Sequence, residues 1–173
     1  MNEPDVNDLI EIFDQLFEVE QNTKLIAGAK EPIYIAARGD KPATIFTRED
    51  FFSSALHEIA HWTIAGEKRR QLDDFGYWYE PEGRNNKQQQ EFERVEIKPQ
   101  AIEWVLSLAC NHRFNFSSDN LSQEINASDR FKKAVKEQAN AYLTNGLPDR
   151  AEKLYLSLID FYREGQKVSH NEI

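Results

Sequence analysis

The chain is poor in sulfur, with one cysteine (Cys110) and one methionine among 173 residues. A lone cysteine excludes an internal disulfide and a thiolate-built zinc site, and removes any reason to invoke an oxidising compartment. Long apolar runs are also missing. The longest covers residues 104–110, far short of the roughly 20 residues that a membrane-spanning helix needs. Residues 1–8 are acidic and lack the positive-then-apolar order of a signal peptide, so the expectation is a cytoplasmic protein. Basic residues are outnumbered, 21 Lys and Arg against 30 Asp and Glu, for a net charge of −9. That balance excludes a broad phosphate-binding surface for nucleic acid and suits a cationic partner better. Repeats and low-complexity tracts are absent. With 40% hydrophobic and 29% charged residues, composition and length predict one globular domain over residues 1–173.

What is present reads as short strands followed by several helices. Val6, Leu9, Ile10, Phe13, Leu16 and Phe17 recur at helical spacing, predicting a first amphipathic helix. Residues 24–27, 33–36 and 44–47 are β-prone, with Gly28 and Pro32 as punctuation. Thr47 with Asp50 reads as a capping pair for a helix over residues 48–65, with Gly66 as its left-handed terminator. An aromatic, turn-rich stretch follows, holding Phe75, Tyr77, Trp78 and Tyr79. Helical character resumes over residues 88–110, with an interruption expected at Pro99. Phe131, Val135, Gln138 and Tyr142 predict a further helix closed by Asn145-Gly146, and Pro148-Asp149 open the last one. Strands then helices, without βαβ alternation, predict an α+β fold: a small mixed sheet packed with several helices.

One segment carries chemistry. Ala55-Leu56-His57-Glu58-Ile59-Ala60-His61-Trp62 contains an H-E-x-x-H motif inside a predicted helix. Residues i and i+4 share a helix face, with about 6 Å between their Cβ atoms, so His57 and His61 can share one metal ion. Phe52, Leu56, Ile59 and Thr63 form the stripe expected to face the core. The histidines lie on another stripe, flanked by Ala60 and Ile64, as in a half-buried cleft. A third ligand is needed, and the segment Glu91-Phe92-Glu93-Arg94-Val95-Glu96 offers Glu93 and Glu96. The expected break at Pro99 leaves the helical phase open between them.

Two histidines and a carboxylate support two chemistries. With Zn²⁺ they make a thermolysin-like hydrolase in which Glu58 is the general base on metal-bound water. With Fe(II) they make a 2-His-1-carboxylate triad with positions open for O₂ and substrate. A metal-stabilised binding module is a third class. It is the least supported, because a structural zinc closes its fourth position with Cys or His, and His112 and His170 stand at no ligand spacing.

The surrounding residues narrow this choice. The run from Ser54 through His57, His61 and Gly66 leads into Arg69-Arg70 and then Asp74-Phe75-Gly76-Tyr77-Trp78-Tyr79. Together with Phe92-Glu93, Val95-Glu96, Lys98-Pro99-Gln100-Ala101 and Tyr142-Leu143-Thr144-Asn145-Gly146, it resembles the bacterial elongation factor P hydroxylase family. The resemblance extends from Leu9 to about Tyr162. It implies a non-haem iron oxygenase that hydroxylates the β-lysylated lysine of translation elongation factor P, with Fe²⁺ as cofactor and O₂ as co-substrate. It also implies a zincin-like or metal-dependent endoribonuclease-like architecture around an H-E-x-x-H helix. Carried over, the metal ligands are His57, His61 and Glu96, with Glu93 as the fallback carboxylate. Glu58 would hold the reacting oxygen or relay protons. A β-lysyl-lysine has ammonium groups on a long apolar stem, so its pocket should pair carboxylates with aromatic walls; Asp73, Asp74, Tyr77 and Trp78 are the candidates. Arg69-Arg70 could meet an acidic surface of the protein partner. No H-x-D…H pattern is present, so 2-oxoglutarate is not implied.

Overall fold

The computed structural model describes residues 3–77, 84–117 and 127–173. Helix α1 (Val6–Phe17) starts at Asp5, whose side chain accepts from the Asn7 N–H at 2.8 Å, and buries Val6, Leu9, Phe13 and Phe17. Three strands follow, β1 (Thr23–Ala29), β2 (Ile33–Ile35) and β3 (Ala43–Arg48), in the order β1-β3-β2. β1 and β3 run parallel while β2 and β3 run antiparallel, so the sheet is mixed. The cross-strand row Leu25, Ile45, Tyr34 faces inward and is buried. The next row, Ile26, Phe46, Ile33, faces out, as the two-residue period of a strand requires.

Beyond the sheet the described chain is helical: α2 (Phe52–Ile64), the single turn α3 (Glu67–Arg70), a 3₁₀ turn (Asp73–Gly76), α4 (Asn86–Ala109), α5 (Asp129–Asn145), α6 (Asp149–Arg163) and a closing 3₁₀ turn (His170–Glu172). The predicted α+β architecture with a small mixed sheet is therefore what forms. One apolar cluster runs through all of it, from Val6 to Val168. The tail after Arg163 is pinned to the body: the Val168 N–H donates to the Tyr155 hydroxyl at 2.9 Å, and Arg163 pairs with Glu172. Among the described residues, no helix is long and apolar enough to cross a membrane.

Three local expectations fail, each for a tertiary reason. Thr47 does not cap α2. It belongs to β3, where Ala43, Ile45 and Thr47 alternate inward, and its hydroxyl is buried without a partner. Phe51 precedes the helix without any side-chain cap, and Ser54 Oγ instead accepts from the Arg48 N–H at 3.1 Å. Gly66 is not left-handed: its φ is −67° and it opens α3. The last carbonyls of α2 are met by a side chain, because Arg150 Nη2 donates to Trp62 O (2.9 Å) and Ala65 O (2.6 Å). Finally, Pro99 does not interrupt α4. It has no N–H to offer the Val95 carbonyl, yet the packing of α4 against α2, α5 and α6 carries the helix through.

Candidate metal centre

The cleft between α2 and α4 gathers the titratable groups. On α2 the core stripe is as predicted: Phe52, Leu56, Ile59 and Thr63 are all buried. His57 and His61 lie to its side, with side chains only 17% and 18% exposed, and their rings meet edge to face at 4.9 Å. On α4, the continuity of the helix through Pro99 puts Glu96, Gln100 and Glu103 on one stripe, at i, i+4 and i+7, and all three are buried.

The two stripes interlock. His61 Nε2 lies 2.9 Å from Glu96 Oε1, and His57 Nε2 lies 3.8 Å from Glu96 Oε2. The donor atoms of His57, His61 and Glu96 fall within 4.8 Å of one another, a grouping that could hold a metal ion. The donor set suits a borderline divalent cation. Two ligands each about 2.1 Å from one ion and at right angles lie about 3.0 Å apart, close to the His61–Glu96 separation. On the far side of His57, Nδ1 lies 2.7 Å from Glu103 Oε2. With Nδ1–H donating to that carboxylate, the Nε2 lone pair is left facing the cleft, as in the carboxylate–histidine–metal arrangement. Glu103 is the site residue that sequence reading missed. The available signal was a Glu seven residues after Glu96 inside an otherwise apolar run, legible only once α4 is known to be unbroken.

Electrostatics follow from this packing. Burial alone would raise the Glu96 pKa, but His61, then His57, and the Gln100 amide pull it down to about 2. Burial would lower His57, yet Glu103 and Glu96 hold it well above its ordinary 6.5; His61 is likewise raised against its burial, chiefly by Glu96. The cleft thus carries more carboxylate than imidazole and demands positive charge, which protons or a metal ion can supply. Glu58 is raised by burial, with the charges of His57, His61, Glu96 and Asp74 acting on it in that order. Its carboxyl is therefore beside the donor cluster without belonging to it.

The other candidates are placed as follows. Glu93 accepts from Ser128, from the N–H at 3.1 Å and the hydroxyl at 2.7 Å, and so fastens the start of α5 instead of facing the histidines. Asp73 accepts from the Ala36 N–H (2.9 Å) and from Arg38 (2.7 Å), and Asp74 Oδ1 accepts from the Tyr34 N–H (2.9 Å). Both carboxylates secure the edge of β2, while Asp74 also lies within electrostatic range of Glu58. The turn that carries them is strained: Asp74 and Phe75 are left-handed at φ 47° and 58°, a conformation costing roughly 1–2 kcal/mol per residue. Phe75 is held by stacking on Tyr34, with ring centres 4.3 Å apart. Tyr77 is partly exposed, with the Arg69 guanidinium 4.2 Å from its ring centre. Trp78 lies outside the described residues. His112 and His170 are engaged elsewhere, with Ser53 and Asn140 respectively.

Fold and cleft together define a mixed α+β protein with an H-E-x-x-H helix whose two histidines converge on a carboxylate from a second helix. The chain belongs to the elongation factor P hydroxylase family, whose model matches residues 12–172. It is also 51% identical, over 158 residues, to a protein of Haemophilus influenzae (strain ATCC 51907 / DSM 11121 / KW20 / Rd) named elongation factor P lysine hydroxylase, covering 91% of this chain and 89% of that relative. Both descriptions are of hydroxylases, and neither supports the zinc-hydrolase reading of the motif.

Proposed function

We propose that this chain hydroxylates a lysine of translation elongation factor P, the lysine bearing a β-lysyl group, with Fe(II) held by His57, His61 and Glu96. The observation that carries the reading is the 51% identity to the Haemophilus influenzae lysine hydroxylase along 91% of the chain, joined to the convergence of those three side chains. Bound Fe(II) would supply the site at which O₂ is activated for insertion into a C–H bond. Net hydroxylation takes one oxygen atom into the product and reduces the other to water with two electrons and two protons from an external donor.

The chain's own groups divide the remaining work. Glu103 keeps the His57 Nε2 lone pair on the cleft side. Glu58, whose pKa is raised by burial, stands beside the histidines to accept and return a proton within the cleft. Asp74 offers negative charge to a substrate ammonium, while Asp73 fixes the turn and Tyr77 offers an aromatic face to the substrate's apolar stem. The α2–α4 cleft leaves the His57 and His61 side chains only 17% and 18% exposed, which limits the access of water. In this reading residues 1–173 act as one hydroxylase domain of zincin-like architecture, working in the cytoplasm beside the translation machinery.

The test is mass spectrometry of β-lysylated elongation factor P after aerobic incubation with the protein, Fe(II) and a reductant. A gain of one oxygen at the modified lysine is expected, absent with His57→Ala. No gain with the wild-type protein, or an equal gain with the variant, overturns the reading.

A further inference from the structure

Gln100 is completely buried and its amide is fully committed. Its Oε1 accepts from the Ser117 N–H at 3.1 Å, and its Nε2 donates to the Ser117 carbonyl at 2.7 Å. This pairing with one backbone residue fixes which end of the amide is which. A flipped amide would put oxygen against the Ser117 carbonyl and NH₂ against its N–H, losing two buried hydrogen bonds. The orientation so imposed leaves one N–H over, and it points at Glu96 Oε2, 3.3 Å away. Oε1 of the same carboxylate is the atom nearest His61, at 2.9 Å. The two oxygens of Glu96 are therefore unequal: Oε1 lies against His61, while Oε2, farther from its histidine at 3.8 Å from His57 Nε2, is held by an amide whose direction the Ser117 backbone sets.

We propose that Gln100 is a positioning residue that makes Glu96 a one-oxygen ligand. A carboxylate free to rotate can chelate an ion through both oxygens and fill an additional coordination position. With Oε2 engaged by Gln100, Glu96 presents Oε1 alone, and the position that Oε2 would occupy stays open for the small molecules that a hydroxylase must admit. The same hydrogen bonds tie the backbone at Ser117 to the ligand, so a shift of that segment would turn the carboxylate. The inference rests on the metal reading of His57, His61 and Glu96 and deepens it.

Co²⁺, whose d–d absorption weakens as coordination number rises, is the probe. Wild-type protein and the Gln100→Leu variant are titrated with Co²⁺ alone, with folding checked by circular dichroism. The expected result is a distinctly weaker visible band for the variant, together with a Co²⁺ affinity changed on the order of tenfold. Should the wild-type protein bind no Co²⁺, the metal reading falls and the inference with it. Should both proteins bind with the same spectrum, the metal reading stands and Gln100 merely anchors Ser117. Where the leucine variant does not fold, the wild-type protein answers by NMR. The Gln100 side-chain amide protons should shift on adding diamagnetic Zn²⁺, and their failure to move while the His57 and His61 ring resonances shift overturns the proposal.

Discussion

Two pairs of carboxylates play different parts in this molecule. Glu96 and Glu103 are buried on one stripe of α4 and face imidazoles. Asp73 and Asp74 sit on a strained turn and face the backbone N–H groups of Tyr34 and Ala36. The first pair takes its partners from side chains that can exchange a proton for a metal ion. The second takes partners that never give up their hydrogen. The difference teaches that an acidic residue's role is set by the donors around it: imidazoles make a reactive site, amides make a fastening.

Substitutions should separate the two pairs. The largest effect is expected for Glu96→Ala, with hydroxylation falling by more than the about 100-fold that supporting residues around a metal ligand command; Glu93→Ala should keep most activity, and comparing the two in the mass-spectrometric assay checks the assignment. Next is Glu103→Leu, which unlocks His57 and should cost about 10–100-fold in metal affinity, read by competition with a chelating dye. Asp74→Ala should act mainly on stability, because the buried Tyr34 N–H loses its acceptor at a cost of about 1–3 kcal/mol, measured by urea unfolding; an unchanged midpoint with a raised KM would instead make Asp74 purely a substrate group. Gly76→Ala should cost about 1 kcal/mol, since Gly76 has φ +71° and an added Cβ would come 2.8 Å from Leu72 Cδ1.

The smallest effect is a pH dependence. The Ala36 N–H first, and then Arg38, hold the Asp73 carboxyl below its ordinary 3.8. A depressed carboxyl contributes stability that is fully present above its unfolded value and lost as pH falls through the folded one. Asp73→Asn should therefore be less stable than wild type at neutral pH, and the gap should begin to shrink below pH 3.8 and close only below the lowered folded value. A gap that persists in acid would show that the carboxylate's charge is not what fastens the turn.

Much of the site could be read from the sequence because its signal is local. H-E-x-x-H needs only helical periodicity, and the burial of Leu56 and Ile59 beside the less completely buried histidines follows from the same phase. The choice between Glu93 and Glu96 is open in the sequence because Pro99 predicts a break in the helix. Its continuation is a tertiary effect, and with it the stripe through Gln100 and Glu103 becomes visible. The partners of Asp73 and Asp74 lie 37 and 40 residues back, a separation at which no periodicity speaks. Thr47 misled for a similar reason: its capping pattern is genuine as a pattern, but strand β3 claims the residue first.

Arg150 gives the metal helix a dependence on the end of the chain. Its guanidinium meets the last carbonyls of α2 from 85 and 88 residues downstream. On a ribosome, the histidine-bearing helix emerges long before the side chain that completes it, so contacts of this sequence separation form late. The C-terminal end of α2 is thus completed only after α6 has docked. A chain stopped before Asp149 should hold Co²⁺ far more weakly than the full-length protein in equilibrium dialysis. Metal retention would then read out whether the last helix is present.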